Sequence, residues 1–552
     1  MSFLGRSVLR QWEPRVKARG GFIFLALFFT ALLIYGPCLK GPFVWDDLSL
    51  IVNNTGFDRP LSFFTRPLYP FSYDSSSAYY YRPLQAFSYY LDYKVWGFNA
   101  FGYHLTNILI HSFGAFMLYS LLSCRVKRCP SNGSGGAYPV MPVLASFIFL
   151  AHPIALTSAA YIAGRADLLA CVFILAALFF LDRFVSSGKK VFFIAYLAVF
   201  AAALFSKESA VLAPFLFISY LVLILKSEKM SGKKTLFTVS AGYSVILLFY
   251  FFLRAGLGVA SRGFDISTVF MNAWVPTLLK MVSGYVVLFF LPLQPHLGRA
   301  VILEASFFSP YVLSSAIFLA TAAFLFYRCL KKSFFNVCFG LFWFFAWIIP
   351  LSFFCIIFGR LDYFVIMPEN HLYVAMAGLL FAFGFLRPKS KLFYGVMCLY
   401  IFVFAFMTFR GSGAWKDDVV LYEYLISVNK NTPSVGLIHK SLGLAYKRRG
   451  SYEKAIENYQ LALKAGSDAA VYHNLGNIYL EQNDLKRAHS NYLMALSLNP
   501  RLGCSYVGLG FIFLKQGDVL KAKEMFAAGL KISPEDARLK MMVSQALPQA
   551  QG

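Results

Sequence analysis

Long apolar stretches separated by short polar segments make up most of the chain between Gly21 and Phe409. A transmembrane helix needs about 20 mostly apolar residues to cross the hydrocarbon core of a bilayer. Twelve stretches approach that length: 21–37, 102–123, 140–162, 168–185, 190–206, 209–225, 236–253, 275–293, 309–327, 336–358, 371–386 and 392–409. The pattern predicts an all-α, polytopic membrane domain.

The polar segments between these stretches are rich in Lys and Arg. Six such clusters occur, at 6–19, 125–128, 183–190, 226–234, 328–332 and 387–391. Positively charged residues accumulate in cytoplasmic loops, so we predict that all six lie in the cytoplasm together with the N-terminus. The first stretch follows the first cluster, and we expect it to be an uncleaved signal anchor.

The composition sharpens this interpretation. Hydrophobic residues make up 58% of the chain and charged residues 14%, against about 45–50% and 25% in soluble domains. The formal net charge of +25 is by itself compatible either with nucleic-acid binding or with cytoplasmic loops. Because the basic residues cluster between apolar stretches, we predict a membrane protein with no nucleic-acid partner.

The same charge pattern limits the number of crossings. Lys234 and Arg328 both belong to predicted cytoplasmic clusters, yet three apolar stretches lie between them. An even number of crossings is needed, so one stretch is expected to be re-entrant, broken or interfacial. We assign this role to 268–293, because Pro276 and Lys280 interrupt it. About 11 spans are then predicted, with the C-terminus on the outer face.

After about Gly411 the chain becomes more polar and carries an internal repeat. A Leu-Gly pair recurs at intervals of 33 and 34 residues, and each pair is followed by an aromatic, an Ala and a second aromatic. The repeated residues are Leu442-Gly443, Tyr446, Ala455 and Tyr459; Leu475-Gly476, Tyr479, Ala488 and Tyr492; and Leu509-Gly510, Phe513, Ala522 and Phe526. This resembles the tetratricopeptide repeat, in which small residues let paired helices approach and aromatics fill the space between them.

The repeat pattern predicts an α-solenoid at 436–536 with three repeats. It follows a linker at 411–435 and precedes a tail at 537–552. Stacked repeats form a concave groove that usually holds a peptide. The alternative use of this surface is dimerisation or scaffolding.

Ionisable residues gather at the predicted outer ends of the spans. Such residues are costly near hydrocarbon and mark function when they face a cavity. The candidate residues are Asp46, Asp47, Arg82, His104, Arg165, Lys207, Glu208, Glu369 and His371. Each has a structural alternative, such as a helix cap, a snorkelling anchor, a packing role or an ion pair.

The types of these residues suggest a division of roles. Two adjacent carboxylates suit general-base chemistry, so Asp47 and then Asp46 are the candidate catalytic bases. The candidates for holding a phosphate are Arg165, Lys207 and His371. The supporting residues are Glu369, Glu208, Arg82 and His104. No metal site is predicted, because two carboxylates are too few ligands and the nine cysteines lack zinc spacing.

The chain has no P-loop and no nucleotide-binding fingerprint. A sugar nucleotide would therefore lack its usual phosphate-binding loop. A donor used on the outer face must instead arrive through the lipid. A scaffold that anchors the repeats and a transporter remain alternatives to an enzyme.

Several ordered motifs resemble the transmembrane and tetratricopeptide-repeat-containing O-mannosyltransferase family and similar bacterial membrane proteins. They are Phe43-Val44-Trp45-Asp46-Asp47, Tyr81-Arg82-Pro83-Leu84, Gly102-Tyr103-His104-Leu105-Thr106-Asn107, Ala151-His152-Pro153, Gly164-Arg165-Ala166-Asp167, Ser206-Lys207-Glu208 and Glu369-Asn370-His371-Leu372-Tyr373. The chain departs from the family where His371 replaces a frequent Arg, and where Thr157-Ser158 occupy a stretch that often contains Glu.

The resemblance implies a GT-C glycosyltransferase fold over 1–410. It also implies a polyprenyl- or dolichyl-phosphate sugar as donor, mannose as the sugar, and Ser or Thr hydroxyls of proteins as acceptors. The expected locations are the endoplasmic reticulum membrane of a eukaryote or the inner membrane of a bacterium, with the repeat tail on the lumenal or periplasmic side.

Overall fold

A computed structural model describes residues 4–65, 80–128, 140–227, 232–259, 268–293, 299–358, 360–361, 364–429, 432, 435–532 and 537–549. The chain forms two compact units. We call the first the membrane unit (Met1–Pro42, Pro60–Pro67 and Tyr80–Lys416) and the second the repeat unit (Phe43–Arg59, Leu68–Tyr79 and Asp417–Gly552).

The membrane unit is built almost entirely of helices, which agrees with the predicted all-α class. They are α1 (Leu4–Tyr35), α2 (Pro83–Trp96), α3 (Ala100–Arg128), α4 (Val140–Ala151), α5 (Leu156–Ala159), α6 (Arg165–Ser187), α7 (Lys190–Ser206), α8 (Ala213–Ser227), α9 (Lys233–Gly256), α10 (Thr268–Phe290), α11 (Pro310–Lys331), α12 (Phe335–Phe358), α13 (His371–Phe383) and α14 (Lys391–Ala414). The sheet of the described residues has three short antiparallel strands in the order β1 (Arg299–Ile302), β3 (Phe364–Met367), β2 (Arg360–Leu361).

Eight helices of the described residues are long and apolar enough to cross a membrane, or nine when the bent pair α4–α5 counts as one span. Three shorter apolar helices of the membrane unit, Lys190–Ser206, Glu208–Leu223 and His371–Phe383, coincide with three further predicted stretches. Each of the twelve stretches therefore corresponds to an apolar helix, and the protein is a multi-pass membrane protein.

The helix pair α4–α5 bends by 48° at His152 and Pro153. Proline cannot donate a backbone hydrogen bond, so a break of this kind releases nearby carbonyl groups. Three side chains of other helices satisfy two of them: Tyr35 Oη donates to Leu150 O at 3.2 Å, His111 Nε2 lies 3.1 Å from the same oxygen, and Thr408 Oγ1 donates to Ala151 O at 2.7 Å. His111 therefore serves packing.

Helix α10 is one continuous helix with Pro276 inside it, so no helix break occurs at the predicted position. Its C-terminal end lies deep in the bundle. The carbonyl of Phe289 is 2.9 Å from His152 Nε2, and the carbonyl of Phe290 accepts from Tyr400 at 3.1 Å. At 1.5 Å per residue, Tyr400 lies about 14 Å along α14, which is about 36 Å long.

The chain on both sides of this deep end meets the same region. Before it, Tyr285 Oη donates to Pro368 O at 2.9 Å. After it, Arg299 Nε donates to Glu369 Oε1 at 2.7 Å, and β1 pairs with β3. Pro368 and Glu369 are thus contacted by residues on both sides of this end of α10. Ala273–Phe290 is one of the eight helices that are long and apolar enough to cross a membrane, so the re-entrant role of 268–293 stays a prediction.

The repeat unit contains α15 (Asp418–Asn429), α16 (Val435–Arg448), α17 (Tyr452–Ala465), α18 (Ala469–Glu481), α19 (Leu485–Leu498), α20 (Gly503–Lys515), α21 (Val519–Ile532) and α22 (Ala537–Gln549). Helices α16–α17, α18–α19 and α20–α21 pack as pairs. Within these pairs Gly476 faces Tyr492 and Gly510 faces Phe526, as the repeat pattern requires. The segment at 411–435, expected to be a linker, contains the whole of α15.

Candidate functional site

Six of the polar residues at one end of the membrane unit form a group that we call the ionic cluster. Its members come from the starts of α2, α6 and α13 and from the junction between α7 and α8: Arg82, Asp167, Lys207, Glu208, Asn370 and His371. The long helices are apolar along their length. Their polar residues therefore lie at the helix ends, where neighbouring ends meet.

Asp167 is the centre of the ionic cluster. Lys207 Nζ donates to its Oδ1 at 2.5 Å, and Asn370 Nδ2 donates to its Oδ2 at 2.9 Å. Asp167 and Lys207 are both largely buried. A buried carboxylate and ammonium need each other to offset the loss of water. The positive charge of Lys207 is therefore already balanced by the carboxylate of Asp167.

Arg82 and Glu208 form a second pair in the ionic cluster. Their contact is bidentate, with Arg82 Nε donating to Glu208 Oε2 at 2.7 Å and Nη2 donating to Oε1. The guanidinium also lies 4.4 Å from the centre of the Tyr80 ring. Burial would lower the pKa of Arg82, but the charge and hydrogen bond of Glu208 raise it above its usual value. Arg82 therefore remains a fixed cation.

His371 lies beside these pairs, and electrostatic coupling links it to Lys207, Asp167 and Glu208. Its Nδ1 is 3.9 Å from the Sγ of Cys355 near the end of α12. The ring is therefore held at the edge of the ionic cluster rather than inside a salt bridge. A contact between His371 and a phosphate stays a prediction.

Glu369 is fully buried and pairs with Arg299, whose Nε donates to Oε1 at 2.7 Å. Arg299 is thus the ion-pair partner that the structure gives to Glu369. Sequence reasoning did not select Arg299 or Asn370. The signal for Arg299 was available, since it is a basic residue soon after the stretch predicted to be re-entrant.

Arg165 has a different environment from the one expected of a phosphate ligand. Its side chain is fully buried, with Nε donating to Asn107 Oδ1 at 2.7 Å and Nη2 to Tyr103 O at 2.9 Å. Nη1 lies 2.6 Å from Asp92 Oδ2 and within 3.3 Å of Ser88. All three guanidinium nitrogens are thus occupied by the protein, which favours a structural role over phosphate binding.

His104 is also buried in the membrane unit. Its ring lies against the backbone of Gly41 and Ala160. It takes no part in the ionic contacts just described for Arg82, Lys207 and His371. Its geometry fits the packing alternative.

Asp46 and Asp47 belong to the repeat unit, in the segment Phe43–Arg59. Asp47 is buried, and its Oδ2 accepts a hydrogen bond from the backbone N of Val44 at 3.0 Å. Asp46 is exposed. The two carboxylates therefore have different environments, one fixed in a turn and one open to solvent.

The structure brings Arg82, Lys207, Glu208 and His371 together around Asp167. Glu369 reaches Arg299 next to them, whereas Arg165 and His104 serve other contacts. Within the described residues no group of three or more His, Cys, Asp and Glu side chains has the geometry of a metal site.

Comparisons with known proteins give a family resemblance for part of the chain. A protein O-mannosyl-transferase of Caenorhabditis elegans, F38B6.6, is 31% identical over 172 residues, which are 30% of this chain and 24% of that protein. The protein O-mannosyl-transferase TMTC4 of Mus musculus is 30% identical over 178 residues, with the same shares. The chain thus spans about a quarter of the length of these relatives. The resemblance predicted from the motifs is confirmed.

The repeat tail gives separate matches. Two family models described as tetratricopeptide repeat match residues 441–465 and 469–502, so the predicted repeat type is confirmed. A solved structure described as the APC/C hetero-tetramer Cut9-Hcn1 aligns with 85% of this chain and 90% of its own, at a TM-score of 0.25 and 14% identity. A likeness at that level carries no functional argument.

Proposed function

We propose that the protein is a membrane glycosyltransferase that moves a sugar, mannose by family resemblance, from a polyprenyl- or dolichyl-phosphate donor to Ser or Thr hydroxyls of proteins. The observation that carries the proposal is the ionic cluster at the ends of the membrane helices, in a chain similar to proteins named O-mannosyl-transferases. A lipid-borne donor also fits a protein whose polar groups are concentrated where spans end.

The reaction we propose is an inverting displacement. The acceptor oxygen attacks the anomeric carbon of the sugar, and its proton passes to the carboxylate of Asp47 or Asp46. The bond between the anomeric carbon and the phosphate oxygen breaks, and its electron pair leaves with the lipid phosphate. General-base help of this kind is worth about 10²–10⁴-fold in rate.

The lipid phosphate gains negative charge as it leaves, so nearby cations stabilise the transition state. In our proposal Lys207 and His371 contact this phosphate. Asp167, bonded to Lys207 at 2.5 Å, holds the ammonium in place until the phosphate arrives. Arg82 and Glu208 bind each other next to Lys207 and hold this part of the site in place. Arg165 supports the bundle through Asn107 and Asp92.

The repeats would bind the acceptor polypeptide and raise its concentration near the chemistry. The reaction would take place on the lumenal side of the endoplasmic reticulum or on the periplasmic side of a bacterial inner membrane. No divalent metal is required by this scheme.

The proposal is tested by reconstituting the full chain in vesicles with dolichyl- and undecaprenyl-phosphate mannose carrying a radiolabel. Transfer to a library of Ser- and Thr-containing peptides is measured by mass spectrometry. We expect transfer by the native protein and loss in Asp46→Asn or Asp47→Asn, with donor binding retained.

Asp518→Asn is the matched control. Asp518 lies in the repeat unit and accepts a hydrogen bond from the backbone N of Lys521 at 3.1 Å, a contact that Asn reproduces. It should leave the rate unchanged. Full activity in both Asp46→Asn and Asp47→Asn would exclude the proposed base. Absence of transfer by the native protein with either donor would favour a scaffold.

A further inference from the structure

The loop that carries Asp46 and Asp47 is a part of the repeat unit by packing. In the chain it lies between two segments of the membrane unit, which end at Pro42 and resume at Pro60. The segment Phe43–Arg59 therefore leaves the membrane unit and packs with helices that begin more than 350 residues later. A loop that made no contacts with the repeats would not belong to their unit.

Trp45 is the anchor of this loop on the first helices of the repeat unit. Its indole Nε1 donates to Ser441 Oγ on α16 at 2.7 Å. Its ring centre is 5.2 Å from that of Tyr422 on α15, and Tyr422 is hydrogen-bonded to the backbone of Trp45. Burial raises the pKa of Tyr422 above its usual value, so the phenol stays neutral beside the loop.

The backbone of Trp45 is in an unusual conformation. Its φ is +46°, in the left-handed region that bulky side chains rarely adopt. Strained residues of this kind persist only where their surroundings hold them, and they gather at functional sites. Here the holding contacts come from Ser441 and Tyr422.

The turn that contains Trp45 holds the Asp47 carboxylate. The backbone N of Asp47 donates to Val44 O at 3.0 Å, and the backbone N of Leu48 donates to Trp45 O at 3.1 Å. The backbone N of Val44 in turn donates to Asp47 Oδ2 at 3.0 Å. Trp45 is inside this turn, so its backbone angle helps to set the position of the Asp47 carboxylate.

We propose that Trp45 is a positioning residue for the catalytic carboxylate, and that the repeat unit orients the base through Ser441 and Tyr422. This inference rests on the proposed function. It gives the first repeat a part in the chemical step, beyond holding the acceptor polypeptide.

The test uses the full chain in vesicles, the labelled donor of the transfer assay and its best peptide acceptor. Trp45→Phe removes the indole N–H, and Ser441→Ala removes its acceptor. Loss of one neutral hydrogen bond corresponds to roughly a 2- to 10-fold change. We expect kcat to fall by about that factor in each variant, with the KM for the peptide unchanged.

Two further variants separate positioning from general destabilisation. The double variant Trp45→Phe/Ser441→Ala should be no slower than either single variant, because both remove the same contact. Ser441→Thr keeps the hydroxyl and should restore kcat. The control Ser497→Ala removes a serine of α19 whose hydroxyl donates within its own helix, to Met494 O at 2.8 Å, and should have no effect.

Unchanged kcat in Trp45→Phe and Ser441→Ala would overturn this inference, as would additive losses in the double variant or a change confined to KM. If those results came with inactive Asp46→Asn and Asp47→Asn, the proposed function would stand and only the role of Trp45 would fall. Full activity in both Asp variants would overturn the two together.

Discussion

At the scale of single residues, Arg165 shows how burial changes what a charged side chain does. The sequence shows an Arg and an Asp at the predicted outer end of a span, which suits phosphate binding. It does not show that Asn107, Asp92 and Tyr103 converge on the guanidinium. These partners lie 58 to 73 positions away in the chain, so their approach depends on helix packing that a local pattern does not encode.

The structural role of Arg165 leads to a stability prediction. Arg165→Lys keeps one positive charge but cannot reach Asn107, Asp92 and Tyr103 together. Breaking a buried ionic network of this kind typically costs about 3–5 kcal/mol. We expect a large fall in the melting temperature of the purified protein in detergent. Arg183→Lys is the control, because Arg183 is only half-buried and contacts Cys124 Sγ at 3.4 Å. Native stability with a raised KM for the donor would instead support phosphate binding.

His473 in the repeat unit gives a pH prediction. It is buried, and its Nδ1 and Nε2 lie 3.0 Å from Ser505 Oγ and Asn477 Nδ2. Burial lowers the pKa of His473 to about 3, with a smaller contribution from the charge of Lys447. An unfolded His titrates near pH 6.5. The unfolded chain therefore binds more protons between these values, and stability is lost as the pH falls below about 6.5.

Limited proteolysis of the repeat unit in the full chain measures this effect between pH 7.5 and 5.0. We expect native protein to be cleaved faster at pH 5.0, and His473→Gln to be less stable at pH 7.5 but less sensitive to pH. His489→Gln is the control, because His489 is a half-buried histidine beside Phe513. Equal pH dependence in native protein and His473→Gln would contradict the prediction.

At the scale of helices and strands, the repeating patterns of the chain are highly informative. The apolar stretches located the membrane helices, and the spacing of Leu-Gly pairs located α16 to α21. The bend at His152 and Pro153 and the strand pairing of β1 with β3 were not predicted. Both depend on contacts between distant segments: Thr408 with Ala151 in the first case, and Arg299 with Met367 in the second.

The close approach of paired repeat helices leads to a prediction for Gly476. A Cβ at this position would lie 2.6 Å from Tyr492 Cε1. Tyr492 is fully buried and donates to Asn477 Oδ1 at 2.7 Å, so its ring has little freedom to move. Ala gains about 1 kcal/mol in helix propensity, but overpacking costs about 1–3 kcal/mol. We expect Gly476→Ala to destabilise the repeat unit.

Gly466→Ala is the matched control for Gly476→Ala. Gly466 lies between α17 and α18 with an extended φ of 165°, and a Cβ there meets nothing within 4 Å. The two variants are compared by thermal unfolding followed through proteolysis of the repeat unit. Equal melting temperatures for both would show that the helices of the pair separate easily.

At the scale of the whole molecule, the re-entrant path predicted for α10 connects the charge pattern with the number of crossings. Three helices lie between the basic clusters around Lys234 and Arg328. If all three crossed the membrane, the two clusters would face opposite sides, against the positive-inside tendency. If α10 is re-entrant, only α9 and α11 change sides, and the bundle has the 11 crossings predicted from the sequence. The contacts of Tyr285 with Pro368 and of Arg299 with Glu369 agree with that arrangement.

Thiol labelling tests this topology, using single cysteines in a background without the nine native ones. The exposed positions Ser187, Ser306, Ser333 and Ser467 are each changed to Cys in sealed vesicles whose cytoplasmic face points outward. With α10 re-entrant, an impermeant maleimide should label Ser187→Cys and Ser333→Cys at once, and the other two only after detergent. A full crossing by α10 would reverse the result for every position after it, so that Ser306→Cys and Ser467→Cys label and Ser333→Cys does not. Ser187→Cys precedes α10 and labels in both cases, which makes it the internal control for vesicle orientation.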